Sequence, residues 1–199
     1  ASPSLDLYIS SLFYLGNSQF LVNTHYNISI FFREVLLPFI LLYILFLPVV
    51  GRFTKIDKVF FNYKFSVKEI FFLWGSQVII VLIFVNLVLK NFWGRARPND
   101  VLELGGKEIF SPWYEMSNAC LTNCSFVSGD ASVGFSIITL YLITKKIIFL
   151  YASITAGFVL GLIRIVAGGH FLSDIFFAGF FVVILNIILF ELYKKYYAK

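Results

Sequence analysis

The chain has 199 residues, 59% hydrophobic and 20% aromatic, with only 14% charged and a mean hydropathy of +0.86. This is too apolar for a soluble globular domain, and the apolar residues fall into uncharged blocks long enough, with their polar ends, to span about 30 Å of hydrocarbon. The net charge of +5 comes from cations at the ends of those blocks, so it reads as membrane topology and gives no basic surface for nucleic acid.

Residues 5–15, LDLYISSLFYL, space Leu5, Ile9, Leu12 and Phe13 at helical intervals beside Asp6 and Ser10. That pattern predicts an amphipathic helix lying in the outer membrane interface. The sequence starts at Ala1 without Met and has no Lys or Arg before Arg33, which fits an earlier segment, either a signal peptide or a further span. Blocks 35–50, 70–89, 131–144, 147–163 and 175–190 each read as a transmembrane helix. The expected fold is therefore all-α, a polytopic membrane bundle of five transmembrane helices plus an N-terminal interfacial helix, forming one domain over residues 1–199. A β-barrel is excluded because no block alternates with period two.

Arg52, Lys55, Lys58, Lys64 and Lys68 crowd the first connection, Lys145 and Lys146 fill the turn between the third and fourth spans, and Lys194, Lys195 and Lys199 end the chain. With five spans these three places share one side, which the positive-inside rule makes cytoplasmic. The polar motifs then face outward. They are KNFWGRARP at 90–98, NCSFVSGDAS at 123–132 and RIVAGGHFLSD at 164–174.

His170 and Asp174 are one helical turn apart, so they share a face. A carboxylate on one ring nitrogen fixes the tautomer and frees the other nitrogen as a nucleophile; a simpler origin is an interfacial His beside an Asp placed near the helix dipole. Lys90, Arg97 and Arg164 are each explicable as cations reaching for the membrane border. As a set beside His170 they suit the charge of a phosphate in transfer. Ser128 and Gly129 open the third span as an anion cradle or as an ordinary cap. Arg33, Arg95 and Lys107 are left without a role. Cys120 and Cys124 form either a disulfide that pins the loop before Ser128 or a pair too close to bridge. The 99–125 loop is a substrate rim or a passive cover. No His, Cys or carboxylate cluster has metal-ligand spacing, so neither metal nor cofactor is expected.

Taken in order, Lys-x6-Arg-Pro at 90–98, Ser-Gly at 128–129 and Arg-x5-His-x3-Asp at 164–174 resemble the three-part signature of the type 2 phosphatidic acid phosphatase superfamily, helical lipid phosphatases with no metal requirement. The resemblance implies that His170 forms a phosphohistidine, that Asp174 orients it, and that Lys90, Arg97, Arg164, Ser128 and Gly129 hold the phosphate. One position departs: the family usually has Pro-Ser-Gly-His in the second motif, its His protonating the leaving group, where this chain reads Val127-Ser128-Gly129-Asp130. Asp130 is then either a substitute acid or an ion-pair partner, and the nearby cations favour the latter. A good leaving group, such as an anomeric oxygen, needs less acid.

SFVSGD at 125–130 and DLYISSLFYLG near the start are similar to bacterial lipid A phosphatases, in particular the 1-phosphatases. The implied function is removal of a phosphate monoester from lipid A, the 1-position favoured, at the periplasmic face of the bacterial inner membrane, with a membrane lipid as partner and no nucleic acid. Phosphatidylglycerophosphate and undecaprenyl diphosphate would suit the same chemistry. An anion-selective pore or transporter is the different class, but the charges cluster at one face and no internal repeat is present.

Overall fold

The structure, a computed structural model, describes residues 3–22, 30–54 and 63–197. Lys55, Lys58 and Lys199, three of the cations that orient the chain, lie outside the described residues. Helix α1 is Pro3–Ser11, with proline at the first position, where a missing N–H is tolerated. It does form, with Leu7 and Ile9 packed inward and its polar face also turned into the protein. Asp6 and Ser10 are fully buried while Leu5, Tyr8 and Leu12 are exposed, because Asp6 has a charged partner inside the protein. A short hairpin follows that the sequence did not suggest: β1, Tyr14–Gly16, pairs antiparallel with β2, Gln19–Phe20. Its turn residues Asn17 and Ser18 both have positive φ, as a tight two-residue hairpin requires.

Among the described residues four helices are long and apolar enough to cross a membrane: α2, Phe31–Phe53; α3, Val67–Phe92; α5, Ile147–Val166; and α6, Leu172–Tyr197. Ser66 starts α3 through a capping box with Glu69, which satisfies donors at both ends of the motif. The fifth expected span, α4, is Gly129–Thr144. At about 24 Å by helical rise it is shorter than the hydrocarbon core. It is also interrupted between Phe135 and Ile138, where the Ser136 hydroxyl donates back to the Val133 carbonyl. Nearly every α4 residue is buried, so α4 is the interior helix of the bundle and meets protein where the others meet lipid.

Small residues let the helices approach one another. A Cβ on Gly134 would come within 2.5 Å of the Gly157 backbone in α5, and one on Gly161 within 2.6 Å of Ile175 in α6. Away from the outer face, the Thr139 hydroxyl donates to Asn186 Oδ1 at 2.7 Å and accepts from Gln77 Nε2 at 3.4 Å, tying α4, α6 and α3 together. Nearer the outer face, Val85 and Leu89, Phe126 and Val127, Ala131 and Phe135, Ile165, and Ile175 and Ala178 form the main core. The 99–125 loop closes over this end. Trp93 stacks on Phe126 at 4.5 Å, Trp113 meets Phe177 at 4.3 Å, and Phe110 stands edge-on to Phe171. The sulfurs of Cys120 and Cys124 are bonded. The backbone N–H of Cys124 donates to the Lys90 carbonyl and that of Cys120 to Gly94, so the bridged turn is fastened to the end of α3.

Candidate active site

Lys90 sits in the last turn of α3, and the chain leaves that helix through Gly94 at φ +70 and then carries Arg95 and Arg97. The last turn of α5 carries Arg164. The return to α6 needs two glycines. Gly168 has φ +66, and a Cβ there would come 2.4 Å from the Phe20 ring; a Cβ on Gly169 would come 2.4 Å from Arg164 Nη2. The guanidinium thus lies along the backbone that leads into His170, and Asp174 follows in the first turn of α6.

His170 is 1% exposed. Its Nδ1 is 3.5 Å from Oδ2 of Asp174, an ion-pair distance longer than a well-formed hydrogen bond, and it has no other polar partner among the described residues. Catalytic hydrogen bonds are often this loose before substrate binds. Burial pushes the imidazole down to about 4, against the pull of Asp174 in the other direction, with Lys90 and Arg97 adding to the fall. The ring is therefore neutral at physiological pH, and with Nδ1 facing Asp174 its Nε2 is left as the base.

Asp174 is held on every side. Oδ1 accepts from Arg95 Nη1 at 2.6 Å, and Oδ2 accepts from the Ser125 hydroxyl at 2.5 Å and from the Phe171 N–H at 2.8 Å. Its carbonyl accepts from Ser128 N–H at 3.2 Å, which joins the start of α4 to the start of α6. Ser128 caps α4 by accepting from Ala131 N–H. The N–H groups of Gly129 and Asp130 have no acceptor further back in the helix.

The cations converge on the same place. Lys90 Nζ reaches Asn123 Oδ1 at 3.3 Å, and Arg97 Nη2 donates to the Asn123 carbonyl at 2.7 Å. A Cβ on Gly129 would lie 3.1 Å from Lys90 Nζ, so the glycine keeps the ammonium close to the start of α4. Arg164 is 3% exposed, yet among the described residues Nε and Nη1 make no hydrogen bond; the Asp130 carboxylate approaches at 3.5 Å from Nε. Two buried donors of a charged group left without acceptors are what an anion site has before the anion arrives. Asp130 also lies 4.0 Å from Arg33 Nε, so it is shared between two guanidinium groups. Beside it, α2 and α3 line an apolar cleft of about 550 Å³, with Leu41, Val78, Leu82, Gly129 and Asp130 among its walls.

Every residue singled out in the sequence motifs lies in this one region. The sequence left out two that complete it. Arg95, fully buried, holds Asp174, and Asp6 of α1 holds Arg95 with a 2.8 Å ion pair. Among the described residues no three His, Cys, Asp or Glu side chains converge as metal ligands would. The arrangement can bind a dianion and attack it with a neutral imidazole.

Comparison with known proteins bears on that chemistry. A family description, PAP2 superfamily, matches residues 72–197. The chain is 36% identical to the lipid A 4'-phosphatase of Francisella tularensis subsp. novicida (strain U112), over 97% of its own length and 88% of that protein's. It is 27% identical to the lipid A 4'-phosphatase of Rhizobium leguminosarum, over 88% of this chain and 81% of the other. The similarity to the Rhizobium etli protein of the same name is also 27%, over 88% and 74%. No solved structure matches the chain at the same level of significance.

Proposed function

The chain belongs to the PAP2 superfamily and is a multi-pass membrane phosphatase, a phosphoric monoester hydrolase, and from that premise we propose that it removes the 4' phosphate of lipid A through a phosphohistidine at His170. The observation that carries the phosphoryl-transfer chemistry is Arg164, whose buried Nε and Nη1 lack acceptors beside Lys90, Arg97 and a neutral imidazole. Lipid A as substrate rests on the relatives. The missing His at position 130 points to the better leaving group at the 1-position, but three relatives resembling most of the chain are named for the 4' position, and the reading follows them. The apolar cleft that Asp130 helps to line supports a lipid leaving group.

In the first step Nε2 of His170 attacks phosphorus, the bond to the sugar oxygen breaks, and that oxygen leaves with the electron pair and takes up a proton. The Nδ1 proton stays on the ring, stabilised by Asp174, while Lys90, Arg97, Arg164 and the first N–H groups of α4 hold the phosphoryl oxygens. Water then attacks phosphorus, the N–P bond breaks, and phosphate departs. With the basic connections placed in the cytoplasm, the site faces the periplasm of the inner membrane.

The substrate assignment is tested by incubating the purified protein with lipid A bearing both phosphates and finding by ³¹P NMR which resonance is lost. Loss at the 4' position is expected; loss at the 1-position, or release only from a glycerophospholipid, would overturn it.

Two further results follow from the geometry. Protonated His170 cannot attack, so kcat/KM, which reports the free enzyme, should lose its nucleophile only near pH 4, well below the ordinary imidazole value of about 6.5. The profile is corrected for the substrate's own second ionisation near about 6. An enzyme-derived acid limb at or above about 6.5 would contradict this. Asp130, engaged by Arg164 and Arg33, is read as an ion-pair partner. Asp130→Asn should therefore lower kcat/KM by a similar factor for alkyl and activated aryl phosphates. A loss confined to the alkyl phosphate, whose departing oxygen is basic, would make Asp130 the acid.

A further inference from the structure

We propose that Asp6, on the interfacial helix α1, is a positioning residue for the His170 nucleophile, acting through Arg95 and Asp174; this rests on the phosphohistidine reading above. Asp6 is fully buried. Its Oδ2 accepts from Arg95 Nη2 at 2.8 Å, and its Oδ1 accepts from the Ser173 backbone N–H at 2.9 Å, with the Ser173 hydroxyl as a third donor. The same guanidinium gives Nη1 to Asp174 and to the Ser173 hydroxyl, and Nε to the Ser111 carbonyl at 3.0 Å. Its face lies 4.3 Å from the centroid of Phe171. One cation thus sits between two carboxylates, and only one of them, Asp174, touches the imidazole.

The rigidity of the fork is what transmits the effect. With Asp6 on Nη2, Ser111 on Nε and Phe171 beneath the plane, Nη1 points at Oδ1 of Asp174 and leaves Oδ2 to Ser125, the Phe171 N–H and His170. Without Asp6, a buried charged donor loses its acceptor. The guanidinium then turns to draw both Nη groups onto Asp174, and the carboxylate rotates with it. The Ser173 N–H, in the first turn of α6 beside Asp174, loses its acceptor as well.

Docking of α1 alone is a poor account of Asp6. Leu7 and Ile9 already pack α1 against the core, so docking does not require a desolvated charge, yet the buried carboxylate of Asp6 reaches the arginine that holds Asp174.

The test measures kcat and KM for Asp6→Asn and Asp6→Ala with a soluble aryl phosphate, per mole of folded enzyme, beside wild type and His170→Ala. Asp6→Asn keeps the shape if the alanine variant fails to fold. A fall in kcat of about 10-fold to 100-fold is expected, the range for a small misplacement of reacting groups, with KM within about 2-fold. In an Arg95→Lys background the same substitution should cost less than about 3-fold, because residues acting as one unit are not additive. A kcat near wild type, or an equal loss in both backgrounds, would overturn the proposal and leave Asp6 a structural clasp. Activity retained in His170→Ala would instead sink the phosphohistidine reading, whatever Asp6 does.

Discussion

His170→Ala is expected to yield folded protein that releases phosphate from neither lipid nor aryl substrate, with kcat lowered on the order of 10⁴-fold or more. Among the described residues there is no second histidine to replace the imidazole. The cations and the start of α4 still bind the dianion, so substrate affinity should survive while turnover does not. Asp174→Asn should lose on the order of 10³-fold to 10⁴-fold, since the amide cannot fix the tautomer or stabilise the imidazolium. Parallel measurement of phosphate release and of product binding separates the two effects. Turnover within about 10-fold of wild type in His170→Ala would reject the mechanism.

Arg95→Met is expected to damage both stability and turnover. Arg95, Asp6 and Asp174 are all 0% exposed, with ion pairs of 2.8 and 2.6 Å. Removing the cation leaves two buried carboxylates facing each other without compensation, a class of change that typically destabilises by about 3–5 kcal/mol. Unfolding in detergent should shift accordingly. kcat should fall as well, because Asp174 loses its strongest partner. Arg95→Lys should recover part of the stability and less of the activity, since an ammonium lacks the planar fork that spans both acids. A methionine variant as stable and active as wild type would show that the buried pairs hold neither α1 nor Asp174 in place.

The contrast between these residues shows how far the sequence could be read. His170 and Asp174 were legible because helical spacing places them on one face, and Lys90, Arg97 and Arg164 because each ends an apolar block. Arg95 has the same charge in the same segment, but Trp93 keeps helical angles and Gly94 turns to φ +70 just before it, so no helix or strand period fixes which way Arg95 and Arg97 face. Nothing local tells which of the two arginines faces the phosphate. Asp6 was hidden for a related reason. It lies 89 residues from Arg95 in the chain, and an amphipathic pattern gives the faces of a helix without saying which is inside. Periodicity placed the helix in the membrane interface, and the buried arginine that draws its polar face into the protein lies far along the chain. A signal was present in retrospect: Asp6 and Ser10 share a face one turn apart, in a helix without a single cation to pair with the acid.

The helical fold followed from composition, whereas the length of α4 did not. Its apolar block ends at the Lys145–Lys146 turn like the others, and only burial on all sides distinguishes an interior helix from one that meets lipid. Gly134 and Gly161 mark the close approaches, but glycine in an apolar block reads equally as packing or as a break.

The central claim is that phosphate passes through His170, and trapping tests it most directly. Enzyme turning over a ³²P-labelled substrate is quenched in alkali, digested and sequenced. The expected result is label on the peptide containing His170, stable to alkali and lost in mild acid, and absent from His170→Ala. Label that survives acid, label on a different residue, or turnover with no covalent label under conditions that retain a phosphohistidine standard would contradict it.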